Sequence, residues 1–184
     1  VDILVNAHRD LQSSDPLNPD CTAFEELYTT NVLTPLRLSK TFASRLIQQA
    51  EGTDEDTPAG AIVNVTSIAS RLTLPDLVAY SVAAAAVDQM TRSLAVAYAK
   101  YRIRVNAIAL GSVMSSSLQS ALKDDGSLHE ELRAATPLGR IGEADEAAEV
   151  AMFLASQAAS FVTGQIVAVD GGRTMLDSLD TPAH

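Results

Sequence analysis

The sequence has no tryptophan, one cysteine, and 13 lysines and arginines against 23 aspartates and glutamates. The lone Cys21 excludes an internal disulfide framework and fits a reducing compartment. A net charge of −10 repels polyanions, so neither nucleic acid nor an anionic membrane face is an expected partner. The longest nearly unbroken apolar stretch, Leu77 to Val87, spans 11 residues and is too short for a bilayer. No basic segment followed by an apolar run opens these residues, and the expectation is an acidic, cytoplasmic protein. No metal-ligating cluster is predicted. What is present is 184 residues, 47% of them hydrophobic, enough for one domain with a real core.

Short apolar runs alternate with helical patterns. Ile3-Leu4-Val5 reads as a first strand, and Val1 already stands inside that run, so further residues are expected upstream. Residues 23–49 follow, with Phe24, Leu27, Leu36, Leu38, Phe42 and Leu46 at roughly helical spacing and Pro35 expected to bend the helix. The acidic, turn-rich stretch 51–58 reads as a loop. Ala61–Thr66 and Ile103–Ile108 are β-branched strands, separated by an alanine-rich helix over 79–100. Residues 112–135 fit one or two short helices over a cleft, and 143–156 a helix opened by Glu143, Asp145 and Glu146. Gln165–Asp170 is the last strand, and the tail 173–184 is expected to fray. This alternation, with strands buried on both faces, predicts an α/β fold with a parallel sheet.

The residues with chemical potential are Asn31, Ser67 and Tyr80. Ser67 ends the second long strand and Tyr80 opens the next helix 13 residues later. Ligands of open α/β sheets bind beyond the carboxyl ends of the strands, so both hydroxyls are placed at one crevice. A phenol beside a serine hydroxyl can bind a carbonyl oxygen and pass it a proton. Taken singly, each has a plainer explanation: a packing tyrosine and a helix-capping serine.

The segments Asp2–Asn6, Thr30-Asn31-Val32, Ile62–Ser67, Ala79-Tyr80-Ser81, Arg104–Ile108, Thr136–Arg140 and Val169–Gly172, in that order, resemble the short-chain dehydrogenase/reductase family over nearly the whole chain. The resemblance implies a Rossmann-like, doubly wound parallel sheet and hydride transfer between an alcohol and a carbonyl with NAD or NADP. It assigns Tyr80 as the general acid/base and Ser67 as the hydroxyl that orients the substrate oxygen. Asn31 falls on the asparagine that holds a proton-relay water. It places Asn6, Gly111, Val113 and Ser115 beside the cofactor, with serine where the family usually has threonine. Residues 1–184 then correspond to the C-terminal two thirds of one Rossmann-type domain. The family's first three strands, with their phosphate-binding glycine turn, are expected before Val1.

The departures from the family pattern carry equal weight. The lysine that follows the tyrosine by one helical turn is replaced by Ala84. In the family that lysine binds the nicotinamide ribose and makes the phenol more acidic; losing such help costs about 4 kcal/mol, on the order of a thousandfold in rate. No lysine is near in sequence, Lys100 being more than four turns further along the helix. The family's Asn-Asn-Ala-Gly reads Asn6-Ala7-His8-Arg9, where His8 and Arg9 are expected to crowd the cofactor's place or project away from it. Leu110 replaces a proline. None of the nine glycines supplies the missing phosphate turn. Two readings follow: a silent or impaired subunit that assembles as a homo- or hetero-oligomer with family chains, or an active oxidoreductase using Tyr80, Ser67 and Asn31 without the lysine. No substrate signature is present.

Overall fold

Four runs rich in β-branched residues form strands β1 (Ile3–Asn6), β2 (Gly60–Ser67), β3 (Ile103–Leu110) and β4 (Ile166–Val169), in a computed structural model that describes residues 2–50 and 59–177. The strands pair in parallel in the order β1-β2-β3-β4. The helices are α1 (Thr22–Tyr28), α2 (Thr34–Ala50), α3 (Val78–Ala99), α4 (Ser116–Asp124), α5 (Leu128–Ala134) and α6 (Ala144–Ala155). The loop expected over 51–58 lies outside the described residues, as does the tail from residue 178 onward.

Alternation along the central strands sends side chains to two different helical layers. On one face Ala43 and Leu46 of α2 and Ala95 of α3 pack against Ile62, Ile103 and Val105. On the other, Ala147 and Leu154 of α6 pack against Val63 and Ile108. Ile62, Val63 and Val105 are fully buried, and each contributes roughly 1.5–3 kcal/mol of transfer free energy. Arg104 ties β3 to the end of α6: its Nη1 donates to the Leu154 carbonyl at 2.6 Å, and its Nη2 to the carbonyls of Ala155 and Ser156. Those carbonyls have no partner within the helix, so the guanidinium takes the place of a C-cap.

Burial on both faces holds for β2 and β3 but not for the outer strands. Ile3 and Val5 are 44% and 45% exposed; they lie on the sheet face that α6 covers over β2 and β3. β4 is half-buried. Of the tail expected to fray, residues 173–177 are described. Arg173–Met175 form a 3₁₀ turn, and Arg173 Nη1 donates to Ser112 Oγ at 2.8 Å.

Candidate active site

The segment expected as one bent helix divides into α1, a π-helical turn over Thr29–Leu33, and α2. Pro35 explains the turn. It has no N–H to give the Asn31 carbonyl four residues back, so the ladder widens and Thr34 N–H bonds to Thr29 O instead. Asn31 sits in this widened turn, buried, with both ends of its amide committed. Its Oδ1 accepts from Asp10 N–H at 2.7 Å and its Nδ2 donates to Asp10 O at 2.8 Å. A second tie lies further along the same loop. Ser14 N–H donates to Asp76 O at 2.7 Å, and Ser14 Oγ accepts from Ala79 N–H at 3.1 Å at the start of α3. The segment after β1 is therefore pinned between α1–α2 and α3.

That pinning sets the position of Arg9. Its Nη1 donates to the Tyr80 phenolic oxygen at 2.8 Å and to the Thr66 carbonyl at 3.0 Å. A guanidinium thus stands beside the phenol where the sequence offered no lysine, and Arg9 points into the Tyr80 pocket rather than away from it. Exposed His8 makes no such contact. Tyr80 is only 5% exposed, in the first turn of α3, and Ser67 is buried where β2 ends. Ser67 Oγ accepts from Ala69 N–H at 3.2 Å and donates to the Leu110 carbonyl at 3.5 Å, so it also caps the short 3₁₀ turn Ile68–Ser70. Arg9, Asn31, Thr66, Ser67, Tyr80 and Ala84 line one pocket beyond the carboxyl end of β2, with about 10 Å³ of free space, room for roughly one water.

Asn6, Gly111, Val113 and Ser115 do not reach that wall. Asn6 is turned into the core, where its Nδ2 donates to Ser39 Oγ at 3.1 Å and to Asn64 Oδ1 at 2.8 Å. Gly111 lies so close to the end of β4 that a Cβ there would meet Asp170 Cβ at 2.7 Å. Val113 pairs with Gly142 in an isolated bridge, and Ser115 caps α4 by accepting from Leu118 N–H at 3.2 Å. Ser112, Val113, Pro137 and Leu138 border a wider crevice of about 430 Å³. Its floor is the turn after β4, where Asp170 accepts from Gly172 N–H, Thr174 N–H and Thr174 Oγ1 at 2.7 to 2.9 Å. Burial alone pushes the Asp170 carboxyl up, but these bonds outweigh it and hold it below the usual carboxylate range. On the rim, Arg140 and Glu146 form a two-point ion pair, and the Glu146 carboxyl is lowered to about 2 by the Arg140 bond and by Glu143 N–H.

Two hydroxyls thus line one pocket at a strand end, in a chain whose sequence and fold match known proteins. The family model described as enoyl-(acyl carrier protein) reductase matches residues 1–174. The chain belongs to the short-chain dehydrogenase/reductase family. It is 36% identical over 177 residues to galactitol 2-dehydrogenase (L-tagatose-forming) of Cereibacter sphaeroides, covering 95% of this chain and 66% of that protein. It is 32% identical over 188 residues to 7alpha-hydroxysteroid dehydrogenase of Paraclostridium sordellii, covering 100% of this chain and 65% of the relative. Among solved structures, gluconate 5-dehydrogenase from Burkholderia cenocepacia J2315, in complex with NADP and tartrate, superposes with a TM-score of 0.84 at 32% identity, over 96% of this chain and 66% of that one. The chain thus spans about two thirds of the length of these short-chain dehydrogenase/reductase relatives.

The donor set of the pocket fits the nicotinamide-ribose end of such a cofactor. It offers two hydroxyls and a guanidinium whose Nε and Nη2 have no acceptor among the described residues. The turn at Gly171 and Gly172 does not fit a pyrophosphate, because a carboxylate already takes the Gly172 N–H. Among the described residues no group of three or more His, Cys, Asp or Glu could hold a metal ion, and no helix is long and apolar enough to cross a membrane.

Proposed function

We propose that this chain carries the substrate-side chemistry of an NAD(P)-dependent oxidoreductase that interconverts an alcohol and a carbonyl compound. The observation that supports this most is the convergence of Tyr80 and Ser67 on one buried pocket beyond β2. In the oxidative direction the carbinol C–H bond breaks as hydride, the O–H proton passes to the Tyr80 oxygen, and the C–O bond becomes C=O. The nicotinamide, when bound, supplies the two-electron acceptor. Ser67 donates a hydrogen bond to the substrate oxygen and sets its distance from Tyr80. Asn31 braces the loop after β1 through Asp10. In this reading Arg9, Tyr80 and Ser67 lie at the nicotinamide ribose and the reacting carbon. Asn6, Gly111, Val113 and Ser115, which lie outside this pocket, are placed beside the cofactor by the family resemblance.

A second reading rests on Ala84, which lines the pocket where the family has lysine. It makes this chain a silent subunit that assembles in the cytoplasm with an intact relative. Half-exposed Phe24, Leu38, Val78 and Val82 on α1 to α3 would then form the contact between subunits. The two readings separate in one experiment on the purified full-length protein. The relatives are named for galactitol, gluconate and a hydroxysteroid, so the assay panel spans polyols, sugar acids and steroids, each with NAD and NADP. The proposal expects turnover that falls by about 10²–10⁴-fold in Tyr80→Phe with the circular dichroism spectrum retained. Turnover indifferent to Tyr80→Phe overturns it. Calorimetry without cofactor binding, together with no turnover on any substrate, favours the silent subunit.

A further inference from the structure

We propose that Arg9 supplies to Tyr80 the positive charge that Ala84 cannot, so that a side chain on the loop after β1 replaces the lysine missing from α3. The inference rests on the oxidoreductase reading above and deepens it.

Four observations converge. First, the contact is direct: Arg9 Nη1 lies 2.8 Å from the phenolic oxygen and donates to it. A phenol that accepts this bond keeps its own proton to give, and when the proton has left, the guanidinium faces the resulting charge. In this role Arg9 contributes the positive charge and Tyr80 the exchangeable proton. Second, the space matches. Arg9 and Ala84 line the same pocket, and about 10 Å³ of free space remains once the guanidinium is in it. A lysine at 84 and an arginine at 9 would compete for that volume, whereas alanine leaves it open. Third, the arginine is held rather than loosely resting. The Thr66 carbonyl accepts a second bond from the same nitrogen at 3.0 Å, and the adjacent Asp10 is clamped at its N–H and carbonyl by Asn31. Fourth, the surroundings strengthen the effect, because Tyr80 is 5% exposed and a charge in contact with it is poorly screened by water. The family lysine also holds ribose hydroxyls, and Arg9 retains donors at Nε and Nη2 for that second task.

The rival account is a plug: Arg9 fills the place of the substrate oxygen and closes the site. The two make opposite forecasts for the full-length protein. If Arg9 is the cation, Arg9→Ala lowers kcat by about 10²–10³-fold. The same variant moves the rising limb of the pH–rate profile for alcohol oxidation to higher pH and raises the KM for the cofactor. Arg9→Lys retains part of the activity, and Ala84→Lys placed in the Arg9→Ala background restores much of it. If Arg9 is a plug, Arg9→Ala raises kcat and Ala84→Lys does not rescue; either result overturns the proposal. A readout independent of turnover is the near-ultraviolet absorbance of tyrosinate, assigned to Tyr80 by difference with Tyr80→Phe. It is expected to develop at higher pH in Arg9→Ala than in the parent protein, and an unchanged titration overturns the proposal even where the enzyme is active. A titration that moves in a protein without turnover upholds the Arg9–Tyr80 link and sinks the oxidoreductase reading instead.

Discussion

The ends of β2 and β4 both gather polar groups, yet they dispose of their hydrogen bonds in opposite ways. Beyond β4, Asp170 takes up donors from Gly172 and Thr174, Arg173 reaches Ser112, and Arg140 is paired with Glu146. The Asp170 and Glu146 carboxylates are satisfied by these donors around a crevice of about 430 Å³, while the Arg173 side chain, like that of Arg9, bonds through Nη1 alone among the described residues. Beyond β2 the space is small, and its cation keeps unused donors next to a buried phenol. A wide cleft whose carboxylates are already matched holds loops in place. A tight pocket with donors left over is where a ligand's oxygens find partners. The larger cavity is thus the less chemical of the two.

Substitutions at the two strand ends therefore separate activity from stability. After Tyr80 and Arg9, the largest effect is expected for Ser67→Ala, which should lower kcat by about 10²-fold, because the substrate oxygen loses a donor of the kind that builds an oxyanion site. The lost cap on Ala69 N–H should cost only about 1 kcal/mol in urea unfolding. Asp170→Ala is next and reverses the pattern. Three donors lose a charged acceptor, so denaturant unfolding should show a loss of about 1–3 kcal/mol, with turnover affected less than stability. A tenfold fall in kcat at full stability would break the comparison and make the crevice a functional site.

A smaller effect concerns pH. The Asp170 carboxyl is depressed in the folded protein, so its stabilisation is present above the ordinary carboxylate value near 4 and is lost as pH falls below it. Thermal melts of the parent protein should therefore fall more steeply below about pH 4 than those of Asp170→Ala. The smallest effect is at the exposed Arg140–Glu146 pair. Glu146 is lowered to about 2, so what the pair contributes is present above about pH 4.5 and fades toward pH 2. Glu146→Gln at neutral pH should shift the melt barely beyond error, since exposed ion pairs are screened and entropically costly.

The fold was largely legible in the sequence, because β-branched runs and an alanine-rich helix are strong local signals. The helix expected over 79–100 is Val78–Ala99, and that expected over 143–156 is Ala144–Ala155. Residues 112–135 form two short helices. Pro35 announced a bend but not its place, since the bond it removes belongs to Asn31, one turn earlier. The exposure of Ile3 and Val5 departs from the both-face burial expected of a parallel strand, which the strand pattern alone did not signal. Asn31, Ser67 and Tyr80 were recognisable by order and spacing, and the structure gathers them at one pocket.

Arg9 escaped that reading. It lies 71 residues from Tyr80, and nothing local marks an arginine in a loop as a partner for a phenol. A signal was nevertheless present in two departures weighed separately, a glycine position occupied by Arg9 and a lysine position by Ala84. Taken together they describe one charge moved from a helix to a neighbouring loop. Asn6 shows the reverse case, a residue that fits a cofactor-facing pattern yet turns its Nδ2 to Ser39 and Asn64, with its Oδ1 buried and left without a partner among the described residues.

The most direct test of the transferred charge is a crystal structure of the full-length protein with NADP bound, with the Arg9 guanidinium located relative to Tyr80. The expected result is a guanidinium within hydrogen-bond distance of both the phenolic oxygen and a nicotinamide ribose hydroxyl. An Arg9 swung out to solvent, with no cation beside the phenol, would contradict it.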